Sequence, residues 1–65
     1  MKIKIWEMRM QKGMSLKKLS LKTGISKSAL NRYENEKREI SIQKLEKIAK
    51  ALNCTINDLF ESKYK

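Results

Sequence analysis

The clearest pattern in the chain is a short arrangement of apolar and hydroxyl residues that occurs four times. In each case an apolar residue precedes Ser or Thr, and a Leu follows four residues after the hydroxyl. The four sets are Met14-Ser15…Leu19, Ile25-Ser26…Leu30, Ile40-Ser41…Leu45 and Cys54-Thr55…Leu59. An N-cap hydroxyl accepts a hydrogen bond from the first helical turn, and the flanking apolar residues pack together as a hydrophobic staple. The pattern therefore predicts helices that begin near residues 15, 26, 41 and 55.

The rest of the helical layout follows from glycine positions and apolar spacing. Helices are predicted over about residues 3–11, 16–23 and 27–34, with Gly13 and Gly24 ending the first two in the left-handed conformation. The fourth helix has an apolar stripe and can be closed by Asn53; the stripe is Ile42, Leu45, Ile48, Ala49 and Leu52. The fifth is short and starts with a capping box of Thr55 and Asp58. No strand is predicted, and residues 61–65 are expected to fray.

Length and composition place the chain among small globular proteins. Its 65 residues form one predicted domain, 1–65, with a small all-α core. No stretch approaches the ~20 apolar residues of a membrane span, and a cytoplasmic location is the default expectation. The single cysteine excludes an internal disulfide, and the lack of histidine argues against a metal site. We expect no cofactor and no small-molecule ligand.

Charge is distributed unevenly along the chain. The formal net charge is +9, and residues 8–33 contain seven of the sixteen Lys and Arg residues but no Asp or Glu. A segregated positive field of this kind is typical of proteins that bind a polyanion such as nucleic acid. The alternative is a small soluble domain with a basic face. Because the positive stretch coincides with the second and third predicted helices, we favour nucleic acid.

The second and third helices are joined at Gly24, where the chain must reverse within about three residues. This arrangement predicts a helix-turn-helix, whose second helix enters the DNA major groove. On that helix Leu30 and Tyr33 are predicted to face the core. The side chains predicted to face outward and read bases are Lys27, Ser28, Asn31 and Arg32. Such side chains can hydrogen-bond to base edges, although a solvated surface helix would show the same pattern.

A second group of residues is predicted to contact phosphates. The start of the second helix offers free N–H groups at Ser15, and Lys17 and Lys18 lie in its first turn, where cations oppose the helix dipole. Four more polar or basic residues flank the two helices: Lys12, Asn35, Lys37 and Arg38. For each lysine, simple solubility is the alternative explanation.

Arg9 and Glu34 are predicted to form an ion pair that ties the first helix to the end of the third, because Glu34 follows Leu30 by one turn and leans toward the core. Trp6 and Phe60 are expected in the core or at its edge. An exposed subset of the aromatic residues could form a twofold dimer contact, and a homodimer on DNA is expected.

These residues together resemble the Cro/phage-repressor type of helix-turn-helix regulator, also called the xenobiotic-response-element family. The matching runs are KGMSLKKLS, TGISKSALNRYEN, LEKIAKALN and CTINDLF, preceded by Arg9. The resemblance implies a compact five-helix, lambda-repressor-like domain that binds double-stranded operator DNA and usually represses transcription. It implies base-proximal positions at Ser26, Lys27, Ser28, Asn31 and Arg32, a backbone contact at Asn35, and the Arg9–Glu34 pair.

Four residues depart from the family pattern. Leu16 stands where a DNA-contacting Gln is common, which shifts attention to Lys17, and Ser20 replaces a usual alanine. Glu36 and Ile40 replace a frequent glycine and proline, so another shape is expected for the loop after the third helix.

Two other classes of function compete with transcriptional regulation. An antitoxin-like or other protein-interaction module could share this fold, although it would not need an acid-free face. An enzyme is disfavoured, because the sequence offers no histidine, no Gly-rich phosphate loop and no paired carboxylates in one predicted site.

Overall fold

The computed structural model describes residues 2–64 and contains four α-helices, one turn of 3-10 helix and a two-stranded ladder. The α-helices are α1 (Ile5–Gln11), α2 (Leu16–Thr23), α3 (Lys27–Glu34) and α4 (Ile42–Leu52). The 3-10 helix spans Ile56–Leu59, and the strands are β1 (Lys2–Ile3) and β2 (Phe60–Glu61). The predicted all-α class is therefore correct for nearly the whole chain, with four α-helices rather than five.

Each predicted hydroxyl caps the helix that follows it. The side-chain oxygens of Ser15, Ser26, Ser41 and Thr55 accept from the backbone N–H three residues later, at 3.0, 3.1, 3.2 and 3.2 Å. The Asp58 carboxylate in turn accepts from the Thr55 N–H at 3.0 Å, which completes the predicted capping box. These caps satisfy N–H groups that otherwise have no partner within the helix.

Three of the four α-helices end in the same way. A residue at the C-cap or just after it adopts positive φ, and two backbone N–H groups bond back to the last turn, as in a Schellman motif. The left-handed residues are Gly13 (φ 66°), Glu36 (φ 56°) and Asn53 (φ 55°). Helix α2 ends more simply at Gly24 (φ 74°), whose N–H donates to Ser20 O at 2.9 Å. The predicted stops at Gly13, Gly24 and Asn53 are confirmed.

The ladder corrects the prediction that no strand forms and that the first helix starts at residue 3. Lys2 and Ile3 pair antiparallel with Glu61 and Phe60, and Lys4 N–H donates to Leu59 O at 2.8 Å. Two residues per strand are too few to show an alternating pattern, so this pairing arises from tertiary contact. Of the tail expected to fray, residue 61 belongs to β2, and residue 65 lies outside the described residues.

The fifth predicted helix is present as 3-10 rather than α-helix. It is only four residues long, and 3-10 hydrogen bonding is common in such short segments. Its Leu59 is fully buried and so fulfils the packing role expected of that segment.

The core draws on every helix of the domain. Its buried members are Ile3, Ile5, Leu19, Ile25, Leu30, Tyr33, Leu45, Ile48, Ala49, Leu52 and Leu59. The prediction that Ile42 lies on the buried stripe of α4 is wrong, because this side chain is 56% exposed. It occupies the first position of α4, where the stripe extends past the packed region. Trp6 is also 52% exposed and lies at the domain edge, whereas Phe60 packs against the core.

Candidate nucleic-acid interface

Helix α3 is fixed to the domain by one face. Leu30 and Tyr33 have exposed fractions of 0% and 1%, and Ile25, just before the helix, is also buried. The predicted inward face of the helix, Leu30 and Tyr33, is confirmed. Burying large side chains of this kind contributes on the order of 1.5–3 kcal/mol each. The orientation of α3 is therefore determined by packing and does not depend on its exposed residues.

The turn between α2 and α3 is stabilised by two hydroxyl groups of α2. Ser20 Oγ donates to Ile25 O at 2.6 Å. Thr23 Oγ1 donates to Leu19 O at 2.8 Å and accepts from Ile25 N–H at 3.2 Å. The family pattern, in which Ser20 replaces a usual alanine, gives no sign of this contact. Both polar groups of the Ile25 backbone are thereby satisfied at a buried residue, which stabilises the turn.

The opposite face of α3 is open to solvent. Four residues of this face are exposed: Lys27, and Ser28, Asn31 and Arg32, which follow it by one, four and five positions. Ser26, also exposed, caps the helix through Ala29 N–H. Helix α3 thus presents a continuous row of hydrogen-bonding side chains that is free to meet another surface.

Two asparagines at the end of α3 are hydrogen-bonded to each other. Asn35 Nδ2 donates to Asn31 O at 3.0 Å and to Asn31 Oδ1 at 2.9 Å. Asn35 is the C-cap of α3, and its backbone N–H also donates to Asn31 O. Of the two, Asn31 belongs to the predicted base-reading set and Asn35 to the predicted phosphate set. The structure brings them together as one polar unit.

The residues predicted to contact phosphates all lie at the surface, in three places. Ser15, Lys17 and Lys18 surround the start of α2, where the N–H groups of the first turn point outward. Lys12 precedes this helix, and the remaining members, Asn35, Lys37 and Arg38, follow α3.

Glu36 is the first residue of the loop after α3. Its N–H donates to Tyr33 O at 3.1 Å, and Lys37 N–H donates to Arg32 O at 2.8 Å. Glu36 adopts φ 56°, the conformation that glycine would favour at this position. The two backbone hydrogen bonds close the turn with this Cβ in place. The expected difference in loop shape from the family stays a prediction.

The predicted Arg9–Glu34 pair is confirmed and is bidentate. Arg9 Nε lies 2.7 Å from Glu34 Oε2, and Arg9 Nη2 lies 3.1 Å from Glu34 Oε1. The remaining guanidinium nitrogen, Nη1, donates to Met14 O at 3.1 Å. Both side chains are more than nine-tenths buried, at 9% and 8% exposure. The pair therefore ties the last turn of α3 to α1 and to the loop before α2.

Other surfaces of the domain offer little chemistry. Within residues 2–64 no group of His, Cys, Asp and Glu is arranged to hold a metal, and no helix is long and apolar enough to cross a membrane. The Cys54 thiol is half-buried; burial raises its pKa, the Asp58 carboxylate adds to the rise, and Lys12 opposes it. A raised pKa makes this thiol a poor nucleophile.

The chain is similar in sequence and in structure to known proteins. The Helix-turn-helix family model matches residues 7–59, most of the chain. The restriction-modification controller protein C.AhdI from Aeromonas hydrophila superposes with a TM-score of 0.82 at 30% identity, covering 88% of this chain and 86% of that one. The N-terminal DNA binding domain of SinR from Bacillus subtilis gives 0.80 at 35% identity, covering 95% and 91%. No curated protein sequence was found to match.

Proposed function

Because the chain belongs to the helix-turn-helix family of the Cro/C1 type, and is thus a DNA-binding transcriptional regulator, we propose that it represses transcription by laying α3 in the major groove of an operator. One observation carries this proposal. Helix α3 is anchored by buried Leu30 and Tyr33 and by the Arg9–Glu34 pair, which leaves its polar face free.

The base-reading residues of the proposal are those on that free face. Arg32 and Lys27 can donate to guanine O6 and N7, Asn31 can pair with adenine, and Ser28 can serve as donor or acceptor. Ser26 lies at the helix start, where its hydroxyl accepts from Ala29 N–H and can still donate its own proton. All five side chains are exposed.

Phosphates on either side of the groove are the proposed partners of the surrounding polar residues. The start of α2, with Ser15, Lys17 and Lys18, offers backbone N–H groups and positive charge to one strand. The other proposed contacts are Lys12, Lys37 and Arg38. Contacts of this type position a protein on duplex DNA without reading its sequence.

We also propose that the protein acts as a homodimer on DNA, in the cytoplasm and without a small-molecule effector. Equivalent half-sites read by paired helix-turn-helix domains lie about 34 Å apart. The domain measures 32 × 22 × 19 Å, so two copies can lie side by side over that distance. Partly exposed apolar side chains that could meet a second copy include Trp6, Met10 and Ile42.

The experiment that tests the function is selection of bound sites from a random duplex pool, followed by titration of a selected and a scrambled duplex at several salt concentrations. Binding should weaken steeply with salt, because phosphate contacts release counterions. Arg32→Ala should lower discrimination between the two duplexes by about 1–3 kcal/mol. Lys17→Ala should weaken both duplexes alike and lower the salt slope by about one.

Lys47→Ala is the matched control, because Lys47 is an exposed lysine of α4 outside the proposed interface. It should leave both affinities close to wild type. Failure of the protein to bind any duplex at low ionic strength would refute the proposal. In that case an antitoxin-like or other protein-interaction module would become the leading alternative.

A further inference from the structure

The contact between Asn31 and Asn35 determines which way each side-chain amide is turned. Asn35 Nδ2 lies 3.0 Å from Asn31 O, a backbone carbonyl that can only accept a hydrogen bond. The group facing it must therefore be the NH₂ of Asn35. The second hydrogen of that NH₂ is directed to the Asn31 side chain at 2.9 Å, so the Asn31 atom there must be its acceptor, Oδ1.

This chain of donors and acceptors has a consequence for what α3 presents to a ligand. With Asn31 Oδ1 directed to Asn35, one turn toward the helix C-terminus, Asn31 Nδ2 faces away from Asn35. Asn31 is exposed, so the amide group presented there is a donor. An unconstrained asparagine could turn either its donor or its acceptor outward, and the two choices suit different bases.

We propose that Asn35 is a positioning residue, which holds the Asn31 amide so that Nδ2 donates to N7 of a purine in the major groove. N7 is the acceptor that adenine and guanine share there, whereas cytosine presents a donor at its N4 amino group. The inference rests on the proposed function. It gives Asn35 a role in specificity, which differs from the phosphate contact expected for it.

The geometry favours positioning over direct binding for Asn35. Its amide donates both hydrogens to Asn31, which leaves only the oxygen of that amide for another partner. A carbonyl oxygen cannot donate to a phosphate. The backbone N–H of Asn35 is also directed to Asn31 O, within the helix. A phosphate contact by this residue would therefore require the observed hydrogen bonds to break.

The test replaces single purines by their 7-deaza analogues, which lack N7, in a duplex obtained by selection. We expect one position at which the analogue weakens wild-type binding roughly tenfold, the size of one hydrogen bond. Asn31→Ala should bind the natural and analogue duplexes equally. Asn35→Ala should retain only about a two- to threefold difference between them, because the Asn31 amide is then free to turn. Its affinity for scrambled duplex should stay at the wild-type level.

Asn35→Asp provides a second variant of the same shape. Its carboxylate only accepts, so Asn31 should turn its NH₂ toward Asp and present Oδ1 outward. Sensitivity to the 7-deaza analogue should disappear. The added negative charge weakens all duplexes, but it cancels in the ratio of natural to analogue affinity. Asn57→Ala, at an exposed asparagine of the 3-10 helix, is the control, and thermal melting verifies that each variant is folded.

The outcomes separate this inference from the function on which it rests. If wild type binds no duplex, the proposed function fails. If it binds a selected site but no 7-deaza position depends on Asn31, the purine assignment is overturned and the function stands. If Asn35→Ala weakens every duplex equally and keeps the full analogue penalty, Asn35 is a phosphate contact and the positioning role is overturned.

Discussion

Removing Arg9 should be among the most damaging single changes to the stability of this domain. The side chain makes three hydrogen bonds, two to Glu34 and one to Met14 O. Arg9→Ala would leave the Glu34 carboxylate, which is only 8% exposed, without its counter-charge. Breaking a buried pair from one side costs about 3–5 kcal/mol.

That loss is large compared with the total free energy of unfolding of a small domain. Globular domains have about 0.05–0.15 kcal/mol of stability per residue, which gives roughly 3–10 kcal/mol for a chain of this length. Arg9→Ala should therefore remove about a third or more of the free energy of unfolding and, at about 4–8 °C per kcal/mol, lower Tm by roughly 12–40 °C. Thermal and urea unfolding followed by circular dichroism would measure both quantities.

Two further variants separate the ion pair from the general loss of a large side chain. The double variant Arg9→Met with Glu34→Leu replaces both charges by apolar groups of similar size and should recover most of the lost stability. Arg38→Ala removes an exposed arginine from the loop after α3 and should change Tm little. If Arg9→Ala changed Tm by only about 1 °C, as little as the control Arg38→Ala, the reasoning would be refuted.

Three other substitutions test particular contacts. Glu36→Gly should raise the free energy of unfolding by about 1 kcal/mol in urea titrations, because Glu36 adopts φ 56°. A free energy of unfolding no higher than that of wild type would show that the backbone at Glu36 is not strained. Ser20→Ala should lower it by about 0.5–1.5 kcal/mol, because Ser20 Oγ donates to Ile25 O, and an unchanged midpoint would contradict that role. Since the pKa of Cys54 is raised in the folded protein, its contribution to stability is present below the pKa of the unfolded thiol and is lost as pH rises through the folded pKa. Wild type should therefore lose stability relative to Cys54→Ser as pH rises above the ordinary thiol pKa of about 8.5, and a constant difference would argue against the raised pKa.

Helix boundaries could be predicted from the sequence because their causes are local. A serine or threonine that follows an apolar residue caps the helix after it, and a glycine in the left-handed conformation ends the helix before it. Ser26 and Gly24 therefore located the start of α3 and the end of α2 without knowledge of the fold. The Arg9–Glu34 pair was also predictable, since an isolated acid leaning toward the core needs a partner.

Other features depend on contacts between distant parts of the chain. The β1–β2 ladder joins residues 2–3 to residues 60–61, and neither strand is long enough to show a pattern. Exposure of Ile42 and Trp6 depends on where neighbouring elements end, which apolar periodicity does not report. The Asn31–Asn35 contact did have a signal, since residues four apart on a helix are neighbours and amide pairs hydrogen-bond at that spacing.

Both ends of α3 are fixed by residues that do not belong to its exposed face. At the start, Ile25 is buried and Ser20 and Thr23 hold its backbone; at the end, Glu34 is paired with Arg9. Anchoring at two ends determines rotation about the helix axis as well as its direction. The outward side chains can therefore change without altering the orientation of the helix. In this fold, what α3 reads is separable from how α3 is held, because the two depend on different residues.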